Sequence, residues 1–220
     1  LNPVGITGSI VQQLNHGIST GALFLIVGML SARRHTRLIS EFGGLSKVVP
    51  VFAAVFLVVT LSSIGLPGLN GFVGEFLIML GAFRTHKWLT VVAASGVIFA
   101  AVYMLWMFQR VMYGKVTSEE NLRLSDMNVR EIAYMLPILL FIFWIGVYPQ
   151  PFLRRMDASV NAFVQRVEAK RQAALARSPP GETVLVHAGG SGIGSVAIMM
   201  AKAIGCTVIT TVGDDAQAEK

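Results

Sequence analysis

Cysteine is almost absent: Cys206 stands alone in 220 residues, so no internal disulfide can form. Charge is scarce as well. Only 14% of the residues are charged, against about 25% in an ordinary soluble domain, which excludes a normally solvated surface over most of the chain. Acids are scarcest where the chain is most apolar, and Glu75 is the only one inside any long apolar segment. What is abundant is hydrophobic mass, 54% of the sequence, packed into residues 4–150. The net charge of +6 comes from lysines and arginines in loops and in the tail. Placed there, they read as topology signals and not as a nucleic-acid surface. The chain opens at Leu1 almost directly into an apolar helical pattern, so it reads as a piece of a longer protein.

The stretch Gly65–Phe76, GLPGLNGFVGEF, organises the apolar part. It lies between the runs Val48–Ile64 and Phe76–Phe83. Gly65, Pro67, Gly68 and Gly71 are poor residues for a helix interior, and they free backbone groups that lipid cannot satisfy. Such backbone survives at membrane depth only inside protein or beside a wet cavity. Glu75 adds a carboxylate whose insertion costs about 2.5–3.5 kcal/mol. A helix break with an isolated acid is the signature of an ion or proton site. The other reading is a loop between two ordinary spans, with Glu75 reaching the surface. The residues alone leave both open.

Ile6–Leu30 is long enough to cross a bilayer of about 30 Å. Its polar residues Gln12, His16 and Ser19 fall at i, i+4 and i+7, on one helical face. His16 has a reference pKa suited to a proton relay, while an interhelical hydrogen bond is the plainer role. Residues 32–48 form a loop with Arg33, Arg34, Arg37 and Lys47. If the two runs around the break share one crossing, the chain returns at Arg84–Lys87. Trp88–Tyr113 and Ile132–Tyr148 are further spans, with a polar loop, 114–130, between them. Pro137 sits one turn inside the last span, and Pro149 and Pro151 stop it. Asp157–Ala176 carries Val160, Phe163, Val164 and Val167 on one stripe, an amphipathic surface helix.

Composition changes at Ser178-Pro179-Pro180-Gly181. Residues 182–220 read as a soluble β-α-β: a strand at Thr183–His187, a glycine-rich turn at Ala188–Gly194, a helix at Ser195–Ile204 and a strand at Thr207–Val212. Glycines between strand and helix let a phosphate approach the helix N-terminus. Ser191 replaces the second glycine of G-x-G-x-x-G, and no acid ends the second strand, since Asp214 and Asp215 come later.

Several long motifs carry a resemblance. LNHGISTGALFLIVGML, RRHTRLISEFGGL, LSSIGLPGLNGFVGEFLIMLGAF and the closing IGVYPQPFL resemble, in order, the C-terminal part of the M-type antiporter-like subunits of bacterial proton-pumping NADH:quinone oxidoreductase, respiratory complex I. The resemblance runs from residue 1 to about 165. It implies that Glu75 is the acid on a discontinuous helix in the outlet half of a proton channel, where related subunits usually place a lysine. It implies that His16 belongs to the polar axis along the membrane arm. It also implies that the first half of the subunit, with its acid–lysine pair and central lysine, is missing here. GETVLVHAGGSGIGSVAIMMAKAIGCTVITTVG resembles the nucleotide-binding start of a zinc-free, NADPH-using medium-chain quinone oxidoreductase. There Gly189, Gly192, Ile193 and Gly194 would line the pyrophosphate turn, but Gln217 replaces a frequent lysine, and the catalytic domain is absent.

The resulting expectation is a mainly α, multi-span transmembrane bundle with one discontinuous helix, followed by an incomplete Rossmann fragment. The domains are 1–152 (membrane part), 153–177 (amphipathic helix and linker) and 178–220 (nucleotide-binding fragment). Four crossings are expected, one of them running discontinuously from about Val49 to Thr85. Loops 32–48 and 114–130 then share the cytoplasmic side, although the lysines and arginines divide evenly between the two sides. The partners are other membrane-arm subunits of complex I and lipid, in the bacterial inner membrane, with no nucleic acid. No cofactor is expected in the membrane part, and NADPH is the only candidate for 178–220. A cation/proton antiporter subunit and a membrane-tethered NADPH-dependent quinone reductase are the alternatives.

Overall fold

The computed structural model of the chain describes residues 2–116, 118–177, 183–187 and 207–211. Its helices are α1 (Pro3–Arg34), α2 (Pro50–Ser63), α3 (Asn70–Phe83), α4 (Lys87–Met112), the single turn α5 (Glu119–Leu122), α6 (Val129–Val147) and α7 (Gln150–Arg177). The fold is mainly helical. Two units divide it, residues 1–162 and residues 163–220.

Local chemistry sets the helix ends. Asn2 caps α1, its Oδ1 accepting from Gly5 N at 2.8 Å, and Pro3 follows at the first helical position, where no amide partner is needed. His35 closes α1 in a left-handed conformation, φ 53°, with its N–H on Ser31 O. Pro50 opens α2 in the same way. α2 stops at Ile64, where Gly65 takes φ +73° and Gly68 φ +93°, conformations that side chains rarely adopt. α6 opens with a capping box in which Asn128 and Glu131 satisfy each other's backbone amides.

The decisive feature is direction. Along α1 from its start, Gly5 lies on Gly81, Gly8 on Leu77 and Ile78, Gln12 on Gly74, and Asn15 on Asn70. Further along, Ser19 meets Ser62, now on α2. At the far end Arg33 meets Ser125 and Asp126, and Asp126 in turn holds Val51 and Phe52 at the start of α2. α2, the break and α3 therefore run antiparallel to α1 over its whole length. Two separate full spans would have sent α3 back parallel to α1. The 28 residues of α2 and α3 together supply about 42 Å of helix, enough for one crossing.

Glycines allow the close approach. A Cβ on Gly81 would stand 2.5 Å from Gly5 Cα, and one on Gly8 would stand 2.6 Å from Ile78 N. Small residues at helix contacts are how membrane helices pack without a hydrophobic drive between them. On the other side of the break, Gly146 of α6 abuts Gly68 and Leu69 directly. The apolar core lies towards the loop end, with Ile26, Leu45, Val59, Met112, Met135 and Ile142 at 1% exposure or less. Phe56 joins Phe52 and Phe108 there through tilted ring contacts.

Outward faces are apolar instead of charged. Along α4, Trp88, Leu89, Val92, Ile98 and Phe99 are all exposed by more than 60%. In water this surface would aggregate; in a bilayer it is the lipid or neighbour face. Among the described residues, α1, α4 and α6 are long and apolar enough to cross a membrane, and α2 and α3 are shorter apolar helices.

Several boundaries differ from the sequence reading. The break covers only Ile64–Leu69, because α3 begins at Asn70 and takes Gly71, Gly74 and Glu75 into its first two turns. Gly71 is not a breaker: a Cβ there would strike Ser62 O at the end of α2. The loop after the first span is shorter, since α1 runs on to Arg34. α6 continues through Pro137, and α7 starts at Gln150, well before Asp157, with Pro151 inside its first turn. On the expected stripe of α7, Val160 is buried, Val164 and Val167 are half-buried, and Phe163 is 52% exposed. Strands β1 (Thr183–His187) and β2 (Thr207–Thr211) form and pair in parallel, Thr183 opposite Thr207. The glycine turn, with Gly189, Gly192, Ile193 and Gly194, and the helix expected after it lie outside the described residues.

Candidate functional site at the helix break

Glu75 projects from the second turn of α3 back towards the break. Its carboxylate rests against Gly65: a Cβ on Gly65 would stand 2.5 Å from Glu75 Oε2. Gly65 thus does two things, taking a positive φ and leaving room for the acid. Gln12 Nε2 of α1 donates to Glu75 Oε1 at 3.3 Å. Among the described residues no cation pairs with this half-buried carboxylate.

Next to it is a buried polar cluster. Asn15 Nδ2 donates to the backbone O of Asn70 at 2.6 Å, and Asn70 Nδ2 donates to Asn15 Oδ1 at 3.3 Å. Asn70 Oδ1 accepts from Ser62 Oγ at 2.5 Å and from Ser19 Oγ at 3.4 Å, and the two hydroxyls lie 2.7 Å apart. Asn15, Ser19, Ser62 and Asn70 are all buried, at 5% exposure or less. Burying four polar side chains in a membrane is tolerable only because each is hydrogen-bonded. The cluster ties the end of α2 and the start of α3 to one face of α1. It fixes the break open at a defined place.

The expected polar stripe on α1 divides. Gln12 and Ser19 turn inward as read. His16 is exposed, and its Nδ1 lies 3.1 Å from Thr20 Oγ1. His16 does not bond to Glu75. His16 lines a small cleft of about 50 Å³ with Gln12, Asn15, Ser19, Thr20 and Ser62 among others, room for a very few waters, and Glu75 lies behind Gln12, outside that lining. Asn15 and Asn70 were not singled out in the sequence. The signal was available, since Asn15 lies one turn from Gln12 and from Ser19, on the same face.

A second polar cluster clasps the loop end. Arg33 reaches Glu131 Oε2 at 2.6 Å, Ser125 O at 3.1 Å and Asp126 O at 3.3 Å. Asp126 Oδ2 accepts from Val51 N, and Oδ1 from Phe52 N, both at 2.9 Å, which caps α2 from a distant part of the chain. Arg34 pairs with Glu120 and donates to Asn121 Oδ1 at 2.8 Å, and Asn121 Nδ2 donates to Glu41 O at 3.0 Å.

Fold and site together define a multi-span membrane chain built around a discontinuous helix, with one acid seated at the discontinuity. Residues 2–102 match the family described as NADH:quinone oxidoreductase/Mrp antiporter, transmembrane. NADH-ubiquinone oxidoreductase chain 4 of Marchantia polymorpha is 44% identical over 165 residues, 75% of this chain and 33% of the relative. NADH-quinone oxidoreductase subunit M of Rhodobacter capsulatus is 42% identical over 168 residues, 76% of this chain and 33% of the relative. A chain of respiratory complex I from Thermus thermophilus with bound NADH superimposes with a TM-score of 0.70 at 35% identity, covering 74% of this chain and 34% of that one. A chain of the Mrp complex from Dietzia shares the fold, with a TM-score of 0.64 at 20% identity over 73% of this chain. The chain spans about a third of the length of the curated relatives it matches. These likenesses support an antiporter-like subunit for the helical part. They give no support to the resemblance of residues 178–220 to a soluble quinone reductase.

Proposed function

We propose that the helical part works as the outlet portion of a proton-translocating membrane-arm subunit of an NADH:quinone oxidoreductase, in the bacterial inner membrane. NADH oxidation and quinone reduction occur elsewhere in such a complex, and other membrane-arm subunits are the partners. The carrying observation is the carboxylate of Glu75, held against Gly65 at the break of a crossing that runs antiparallel to α1. Glu75 takes up and releases the proton. Amide side chains neither gain nor lose protons at physiological pH, so Gln12, Asn15 and Asn70 orient and do not carry. The route onward passes the cleft beside Gln12, where His16 is the relay.

The test is a full-length subunit in its complex, assayed for pumping in sealed vesicles, with assembly checked separately. Glu75→Gln keeps size and hydrogen bonding but cannot titrate, and it is expected to lose pumping; Glu75→Asp keeps titration and is expected to retain part of it. A Gln variant that assembles and pumps like the parent overturns the assignment. The antiporter reading shares the family description, but its solved structure is a likeness of fold at 20% identity, against 35–44% for the oxidoreductase subunits. Sodium or potassium transport driven by a pH gradient, without quinone chemistry, would favour it.

Residues 178–220 are read as Rossmann-like, for which the parallel pairing of β1 and β2 is the support.

A further inference from the structure

Gln12 carries no proton in the reading above, yet its orientation is dictated from the break. The backbone O of Asn70 can only accept, so Asn15 must turn its Nδ2 towards it, as the 2.6 Å bond shows. The same amide nitrogen then faces Gln12 Oε1, at 3.4 Å. With its oxygen engaged, Gln12 must present Nε2 to Glu75 Oε1, at 3.3 Å. Gly74, one residue before Glu75, leaves the path clear: a Cβ there would strike Gln12 Oε1 and stand 2.9 Å from Gln12 Cα. The Asn70 carbonyl, at the first residue after the break, is thus linked through two amides to the acid.

We propose that Gln12 is a positioning residue that stabilises the ionised form of Glu75, and that Asn15 couples this donor to the backbone at the break. A shift of the Asn70 carbonyl releases Asn15, frees Gln12 to turn its oxygen to the acid, and so favours the protonated carboxyl. The proposal rests on Glu75 being the proton-carrying group. Other ionisable groups on helices packed against α3 are engaged elsewhere or exposed. His16 bonds Thr20, Arg33 pairs with Glu131, and Arg34 with Glu120. Arg110 lies over the Trp106 ring, 4.8 Å from its centroid, and Lys87 opens α4. Tyr103 and Arg130 are exposed, and Tyr134 packs against the apolar core. None of them bonds Glu75 among the described residues.

The test uses the whole chain in phospholipid vesicles and a hydrophobic carbodiimide, which reacts with a protonated carboxyl, with labelling of Glu75 followed by mass spectrometry at fixed pH. Gln12→Met, which removes the donor at similar length, is expected to speed labelling of Glu75 by about three- to tenfold, the net range of an ordinary hydrogen bond, since this one is long at 3.3 Å. Gln12→Lys supplies a cation and is expected to slow it. Asn15→Leu is expected to act like Gln12→Met, more weakly. A residue with a merely structural role would shift the Met and Lys variants in the same direction, and that result, or no change in either, overturns the proposal. Labelling of Glu131, bonded to Arg33 at the other end, serves as the internal control for loss of fold. If Glu75 is labelled in neither the parent nor any variant at any pH at which the chain stays folded, while Glu131 in a denatured sample is, Glu75 is not the proton site, and this proposal falls with that reading.

Discussion

At the scale of single residues, the glycines of this chain separate into two kinds that look alike in the sequence. Gly65 and Gly68 are turning points with positive φ, while Gly5, Gly8, Gly74 and Gly81 are contact points inside ordinary helices. The second kind lets α1 and α3 touch backbone to backbone. Gly81→Ala would place a methyl 2.5 Å from both Gly5 Cα and Gly5 N, against backbone that cannot rotate away. Overpacking of this sort costs about 1–3 kcal/mol. A lower Tm in detergent is expected for Gly81→Ala. Gly17→Ala, whose Cβ meets nothing within 4 Å, should leave Tm unchanged in the same measurement.

At the scale of elements, the discontinuous crossing is held at three places: the Asp126 cap at its start, the amide and hydroxyl cluster at its middle, and Asn2 Nδ2 on Gly81 O at 2.7 Å near its end. Asp126→Ala removes both acceptors from the first turn of α2 and is expected to cost about 1–2 kcal/mol. Faster hydrogen exchange at Val51 and Phe52, with that at Gly74 unchanged, is the signature that checks it. The same clasp puts loops 32–48 and 114–130 at one end of the bundle, since Gly44 N donates to Tyr113 O at 3.0 Å and Asn121 Nδ2 to Glu41 O. In a Cys206→Ser background, Ser40→Cys and Ser118→Cys are therefore expected to react with an impermeant maleimide from one side, and Thr85→Cys from the other. Labelling of Ser40→Cys and Ser118→Cys from opposite sides would mean five full spans and would sink the single discontinuous crossing.

At the scale of the whole molecule, residues 178–220 carry Ser191 in place of the second glycine of a dinucleotide-binding turn and no acid directly at the end of the second strand. Calorimetric titration of NADPH into the intact chain is expected to show no saturable binding. Micromolar binding would revive the tethered-reductase reading. The sequence by itself determined the membrane character, the approximate spans and the presence of a break. Those depend on hydrophobicity summed over many residues and on glycine and proline, whose effects are local. It also determined the candidacy of Glu75, because an acid amid apolar residues is costly wherever it points. Which way the second half of the broken helix runs was not legible in the residues themselves, since a period of 3.6 has no direction relative to a neighbour; the expected single crossing rested on the short second run and on the family resemblance. Only the tertiary structure decided that α3 continues α2 antiparallel to α1, that His16 turns outward while Gln12 turns in, and that Asn15 and Asn70 clasp the break. Each of these depends on a partner 43 to 63 residues away in the chain, and a hydrogen bond is specified by where two groups meet, not by what either group is.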